Sequence, residues 1–157
     1  MTALRRDDTK DCFVMFGKMV LPVQYFAGRV GSRFIISLRD DHKILGVRCP
    51  DCNKVYVPPR EYCERDLAKL DENWVKLGNE GVVTNYTVVR YNDKHLPLKP
   101  PYILAQIKLD GADTPLTHIL GEIEPDQVQI GMRVKAVFAE KTTNTILDID
   151  HFAPVSD

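Results

Sequence analysis

Three cysteines and one aspartate carry the clearest chemistry in this 157-residue chain. Cys49-Pro50-Asp51-Cys52 is followed, after ten residues, by Cys63-Glu64-Arg65-Asp66. A C-x-x-C turn lets two thiolates converge on one ion, and two such turns complete a tetrahedron, so this spacing predicts a zinc ribbon. A strand Lys54–Val57, ahead of Pro58-Pro59, supplies the hairpin that brings the turns together, and Asn53 tolerates the left-handed backbone such turns need. The fourth ligand position is irregular, and three readings stay open. Asp66 supplies a carboxylate oxygen; Cys12 arrives from the N-terminal arm; or the site is incomplete and weak. Three thiolates reduce the Lewis acidity of a bound zinc, which favours a structural role. An iron–sulfur cluster fits less well, because three cysteines crowd one short hairpin.

The remaining reactive side chains form no active site. Cys12 is the one cysteine outside the two turns, and His42, His95, His118 and His151 are scattered without a paired carboxylate at a telling spacing. His118 falls on a predicted strand and reads as a barrel-surface residue. Ser32, Ser37 and Ser156 lack a nucleophile-elbow pattern. Phosphate-loop and dinucleotide motifs are absent. Autonomous catalysis is not expected.

The elements that must position the cysteines are legible in the hydrophobic pattern. Val30, Phe34 and Leu38 recur every fourth residue, with Ile35 beside them, and predict a helix over Ala27–Asp40 with one apolar stripe. A short strand, KILGVR, leads into the first cysteine turn. Residues 66–73 form a polar connector with room for one helical turn. From Trp74 onward strand signals dominate: WVKL, VVTNYTVVRY, YILAQIKL, LTHILGEI, MRVKAVFAE and TILDIDHF. EPDQVQIG, after the LTHILGEI strand, has room for a single helical turn, and NDKHLPLKPP is too proline-rich for a central strand. Five strands with one interruption after the third predict an OB-fold barrel. The chain is therefore expected to be mostly β with an N-terminal helix: arm and helix over 1–43, a rubredoxin-like zinc ribbon over 44–72, and a five-stranded OB-fold barrel over 73–157.

Charge and hydropathy narrow the partners. The net charge is −1, and residues 73–157 hold 8 basic against 11 acidic side chains. Phosphate-backbone binding ordinarily needs a basic excess, so nucleic acid is disfavoured. No apolar run reaches the roughly 20 residues that span a bilayer. The first residues, MTALRRDDTKDC, hold acids where a signal peptide has its apolar core, and the cysteines read as reduced thiols or metal ligands. The cytoplasm is the expected compartment.

The runs GRVGSRF…ILGVRCPDCNKVYVPPREYC, PPYILAQIKLDGAD and IGMRVKAVF resemble the acyl-CoA-associated proteins that join an N-terminal zinc ribbon to a C-terminal OB-fold. The likeness runs from about Tyr25 to Val155, and Asp66 departs from that family's four-cysteine set. It implies a small non-catalytic partner of a thiolase-fold enzyme in a hetero-oligomer, with structural zinc and a share in holding coenzyme A or acyl-CoA. Enzymes served by such proteins include acetoacetyl-CoA thiolase with HMG-CoA synthase, steroid side-chain aldolases, and thiolases of aromatic acyl-CoA degradation such as the benzoylsuccinyl-CoA enzyme.

Coenzyme A needs cations for its phosphates and an apolar rim for adenine and pantetheine. Arg90, Lys94 and Lys99, interleaved with Tyr91, Leu96 and Tyr102, are the candidates on one strand and the loop after it. Arg60 either meets a partner or steadies the cysteine turn. The helix and the N-terminal arm, bearing Phe13, Phe16, Phe26 and Phe34, are the candidate docking elements, with burial inside the monomer as the competing reading. A single-stranded nucleic-acid binder and a metal-dependent enzyme are the rival functions.

Overall fold

The computed structural model describes residues 21–92 and 98–155, Gly17, Met19, and the backbone of two short paired strands, β1 (Arg5–Arg6) and β2 (Phe13–Val14). Helix α1 spans Gly28–Asp41 and buries Val30, Phe34, Ser37 and Leu38. The four-residue spacing aligns the three apolar members on one face. His42 ends the helix in the left-handed conformation at φ 50°, and the Ser37 hydroxyl closes the turn by donating to the Lys43 carbonyl at 2.9 Å. The stripe packs within the chain, so burial inside the monomer holds for Phe34 and Leu38. Phe26 is exposed, and Phe13 and Phe16 lie outside the described side chains.

Strands β3 (Leu45–Arg48), β4 (Val55–Tyr56) and β5 (Trp74–Lys76) form an antiparallel sheet in the order β4-β3-β5. The cysteine turn at 49–52 caps the β3–β4 hairpin. Strand β5 belongs to this ribbon sheet, so the sheet crosses the 72/73 boundary expected from sequence. The connector before β5 is not helical. It bridges Lys69 to Tyr62 and drives Leu70 fully inside the ribbon.

Strands β6 (Glu80–Val89), β7 (Tyr102–Leu109), β8 (Leu116–Leu120), β9 (Arg133–Phe138) and β10 (Ile149–Pro154) close a barrel in the order β6-β7-β8-β10-β9. Each pairing is antiparallel except β8 with β10, and this order is the OB-fold. Alternation sets the interior: Ile103, Ala105, Ile107 and Leu109 of β7 are buried, while Gln106 and Lys108 face out. Strand β6 reaches both β7 and β9 because it carries Gly81; a Cβ there would lie 2.5 Å from the Lys108 carbonyl oxygen. The link after β8 is a turn held by Gln127 N–H to Glu124 C=O rather than the helical turn expected, and a short 3-10 turn at Ile146–Asp148 precedes β10.

Ribbon and barrel share a core. Val55 and Val57 join α1 and the barrel strands in the main cluster, whereas Tyr56 between them joins Cys49, Cys63 and Leu70 in a second one. The loop after β7 fastens this strand. Asp113 accepts from the Val55 N–H at 2.8 Å, the Asp113 N–H returns to the Val55 carbonyl at 2.9 Å, and the Thr114 hydroxyl bonds Val57.

His118 corrects the sequence reading. It is 3% exposed, not on the surface, because it falls in the inward register of β8 with Leu116 and Leu120. Its Nε2 lies 3.1 Å from the Ile146 carbonyl and its ring meets Phe152 edge-on. Burial pulls its pKa below the ordinary value.

Two measurements check this packing. Asp113→Ala should destabilise the chain by about 2 kcal/mol, the scale of a hydrogen bond to a charged group. Trp74 fluorescence and far-ultraviolet circular dichroism should then shift together in denaturant, whereas separate transitions would divide ribbon from barrel. A histidine whose folded pKa is depressed gives stability that is complete above its unfolded pKa of about 6.5 and declines as pH falls through that value. Between pH 7.5 and 5.5 the native chain should therefore lose stability more steeply than His118→Asn, and parallel slopes would remove His118 from the account.

Candidate metal centre

Two backbone turns of the same design face each other across the ribbon. In the first, the Cys49 N–H donates to Lys54 C=O at 2.9 Å and the Asn53 N–H to Cys49 C=O at 3.1 Å. In the second, the Cys63 N–H donates to Ala68 C=O at 2.9 Å and the Leu67 N–H to Cys63 C=O at 3.1 Å. Asn53 and Leu67 both take φ 60°, so residue 66 stands in the second turn where Cys52 stands in the first. Asn53 was legible as the left-handed position. Leu67 was not, because a leucine rarely adopts that conformation and only the turn's hydrogen bonds hold it there.

Cys49, Cys52, Cys63 and Asp66 bring their ligand atoms within 4.8 Å of one another. Cys52 Sγ and Cys63 Sγ are 3.7 Å apart, and Cys49 Sγ is 3.4 Å from Asp66 Oδ2. A tetrahedral ion with zinc–sulfur bonds of about 2.3 Å has sulfur–sulfur edges of about 3.8 Å. The donor set fits zinc. Within the cluster the directions divide: burial raises the Cys63 thiol, but hydrogen bonds with Tyr56 and with the Arg65 and Asp66 backbone bring it below its ordinary value. The Lys54 N–H holds the Cys52 thiol down, but burial and hydrogen bonds with Cys49, Cys63 and Asp66 push it up to about 11. A hydrogen bond with Cys63, helped by the Ala68 N–H, keeps the Asp66 carboxyl below its usual range. Cys12, the rival fourth ligand, lies outside the described residues.

Tyr56 supports the cluster from inside the ribbon. Its hydroxyl lies 3.1 Å from Cys63 Sγ, and that sulfur together with burial holds the phenol pKa well above the ordinary range. Arg60 sits with its guanidinium 4.6 Å from the Tyr56 ring centroid, and Lys54 lies at 5.3 Å. Glu64 joins the two cations, at 2.6 Å to Lys54 and 2.9 Å to Arg60. Arg60 therefore steadies the turn. Tyr56 went unrecognised as a site residue although a signal existed: in the run Val55-Tyr56-Val57 it alone points opposite to the two valines.

The residues expected to meet coenzyme A are less concentrated. Arg90 is exposed just beyond β6, Lys99 is exposed in the following loop, and Tyr102 is half-buried at the start of β7. Lys94 lies outside the described residues. Tyr102 lines a groove of about 550 Å³ with Leu98, Pro101, Ile123 and His151, and Glu122, Glu124 and Asp150 supply its charge. His151 is held there between Asp150 at 2.7 Å and Glu122 at 3.2 Å. The groove is acidic, so it repels phosphate.

Comparison with known proteins decides the family. Residues 37–70 match the model for the ChsH2 rubredoxin-like zinc ribbon domain, and residues 74–139 that for the ChsH2 C-terminal OB-fold domain. A DUF35 domain-containing scaffold protein of Methanocaldococcus jannaschii is 35% identical over 101 residues, covering 64% of this chain and 71% of that protein. The chain belongs to the DUF35 family. A second DUF35 domain-containing scaffold protein, from Methanothermobacter thermautotrophicus, is 27% identical over 62% of this chain and 72% of its own length. Among solved structures, a DUF35 protein of unknown function from Sulfolobus solfataricus aligns with a TM-score of 0.57 at 29% identity, over 70% of this chain and 78% of that one. A chain of the Ltp2-ChsH2(DUF35) aldolase aligns with a TM-score of 0.62 at 23% identity, over 81% of this chain and 95% of its own, a likeness of fold. This DUF35 chain thus has the ribbon-then-barrel order predicted, with an aspartate at the fourth position.

Tyr56→Phe keeps the buried ring and removes only the bond to Cys63. It should lower zinc affinity about 10–100-fold in chelator competition while leaving the circular dichroism unchanged. Unaltered affinity would reduce Tyr56 to core packing.

Proposed function

We propose that this DUF35 chain is a non-catalytic accessory subunit of a thiolase-type acyl-CoA enzyme, shaped by one structural zinc ion on Cys49, Cys52, Cys63 and Asp66. When bound, zinc supplies a tetrahedral cross-link between two turns too small to hold themselves. The observation that carries the reading is how the chemically able groups are used. The three described thiols turn into one cluster, His118 is buried in the barrel, and His42 stacks on Phe138 at 5.1 Å. None of these three thiols lines a substrate-sized cavity with a base of its own, and although His151 lines the groove beside Tyr102, between Asp150 and Glu122, no thiol, serine or threonine lines that groove with it. The scaffold names of the relatives, and the pairing of Ltp2 with ChsH2 in a similar aldolase, support an accessory role.

The cations proposed to meet the phosphates of coenzyme A are Arg90, Lys94 and Lys99, beside Tyr102. Because the groove next to Tyr102 is acidic, the phosphates belong outside it, over the exposed loop that carries Lys99.

Purification of the native assembly tests the proposal. One zinc per chain, a co-purifying thiolase-fold subunit, and acyl-CoA turnover by the assembly but not by this chain alone are the expected results. A metal-free chain, or turnover by the isolated polypeptide, would overturn it.

A further inference from the structure

The segment ahead of α1 places its apolar residues outside. Met19, Leu21, Val23, Tyr25 and Phe26 are each more than two-thirds exposed, with Tyr25 at 86% and Phe26 at 83%. Five such side chains within eight residues exceed the scattered apolar exposure of an ordinary surface. Residues 21–27 form neither helix nor strand, and Met19, Leu21, Val23 and Tyr25 alternate as the residues of an extended strand do.

The chemistry beside this arm is cationic. Between Asp11 and Asp40 the sequence holds no acidic residue and four basic ones, Lys18, Arg29, Arg33 and Arg39. The arm leads directly to Arg29 and Arg33 on α1, which line a cavity of about 350 Å³ with Lys69 and Trp74. Arg33 lies 4.5 Å from the Trp74 ring centroid. Asp71 and Glu72 also line this cavity, and Asp71 is paired with Lys69 at 2.7 Å. Tryptophan, tyrosine and arginine together are the usual composition of a binding hot spot.

We propose that residues 21–26 bind as an added strand in an apolar groove of the catalytic subunit, and that carboxylates on the groove's rim face Arg29 and Arg33. This rests on the accessory role proposed above and names the surface that performs it. Charge complementarity selects the acidic rim. The alternation of Leu21, Val23 and Tyr25 selects protein over lipid, because a sheet edge can pair the free peptide groups of such a segment and a bilayer interior cannot.

The test measures binding of the full-length chain to the purified thiolase-fold subunit. Tyr25→Ser/Phe26→Ser should weaken binding about 100-fold through the loss of two anchors. Arg29→Glu/Arg33→Glu should weaken it about tenfold or more and flatten its salt dependence. Zinc content and circular dichroism should stay unchanged in both, and the amides of Leu21 and residues 23–27 should gain hydrogen-exchange protection in the complex. Affinities within twofold of the native chain, without protection, would overturn the arm's role while leaving the accessory reading intact. Failure of the native chain to bind any thiolase-fold subunit would overturn both. Sedimentation of the native chain alone as a dimer that Tyr25→Ser/Phe26→Ser dissolves would replace the enzyme by a second copy. Co-sedimentation with phosphatidylcholine–phosphatidylglycerol vesicles, lost in the same variant, would replace it by a lipid surface.

Discussion

Strand β4 serves two interiors at once, and the rest of the molecule is arranged around that division. Successive side chains on a strand point to opposite faces. Val55 and Val57 therefore enter the core shared by α1 and the barrel, while Tyr56 enters the ribbon and reaches the Cys63 sulfur. A strand of two residues cannot fix its own register. Asp113 and Thr114 do so from the barrel loop, by bonding the backbone of Val55 and Val57. A slip by one residue would place the tyrosine hydroxyl in the apolar core and a valine against the sulfurs. The ribbon is thus a fixed extension of the barrel.

That arrangement bears on the metal. A hairpin of this size has little apolar area to bury, and its second interior consists mainly of Val47, Cys49, Tyr56, Cys63 and Leu70. Two of those five are proposed ligands, so a cation would neutralise the cluster and complete the core together. The Glu64 bridge between Lys54 and Arg60 lies over the other side of the tyrosine ring. Its ion pairs are exposed and weak in energy. Their contribution is to hold two long side chains against the Tyr56 ring.

Legibility followed the range of the interactions. The helix was readable because Val30, Phe34 and Leu38 report a local period, and its end shifted by one residue because His42 takes a left-handed cap that no period announces. YILAQIKL became β7 with the expected bounds, since its alternation is uninterrupted. The cysteine turns were readable from spacing alone. The membership of β5 was not, since three residues of strand signal cannot say whether they pair with the ribbon before them or the barrel after them. His118 failed for a related reason: on a short strand, its face depends on register with β7 and β10, which is set far away in sequence. The coenzyme A candidates stand together by charge in one stretch, and the acids that meet Tyr102, Glu122 and Glu124 from the link after β8 and Asp150 from β10, are distant in sequence.

The described residues divide their chemistry between the interior and one exposed segment. An active site keeps nucleophiles and acid–base groups accessible in a cleft and buries its apolar side chains around them. Here the sulfurs and His118 are drawn inward, where they cross-link or pack, and Tyr25 and Phe26 are left outside. Leaving such residues in water weakens solubility and contributes nothing to the fold, so their exposure has a physical rationale only if another surface covers them. The ribbon and barrel together form a stiff body, and the arm emerges from it at the N-terminus of α1, whose opposite face is anchored in the core. Gly28, at φ 73° with open space around it, lies between the arm and that anchored face, so the arm can be re-aimed on the body without disturbing the core.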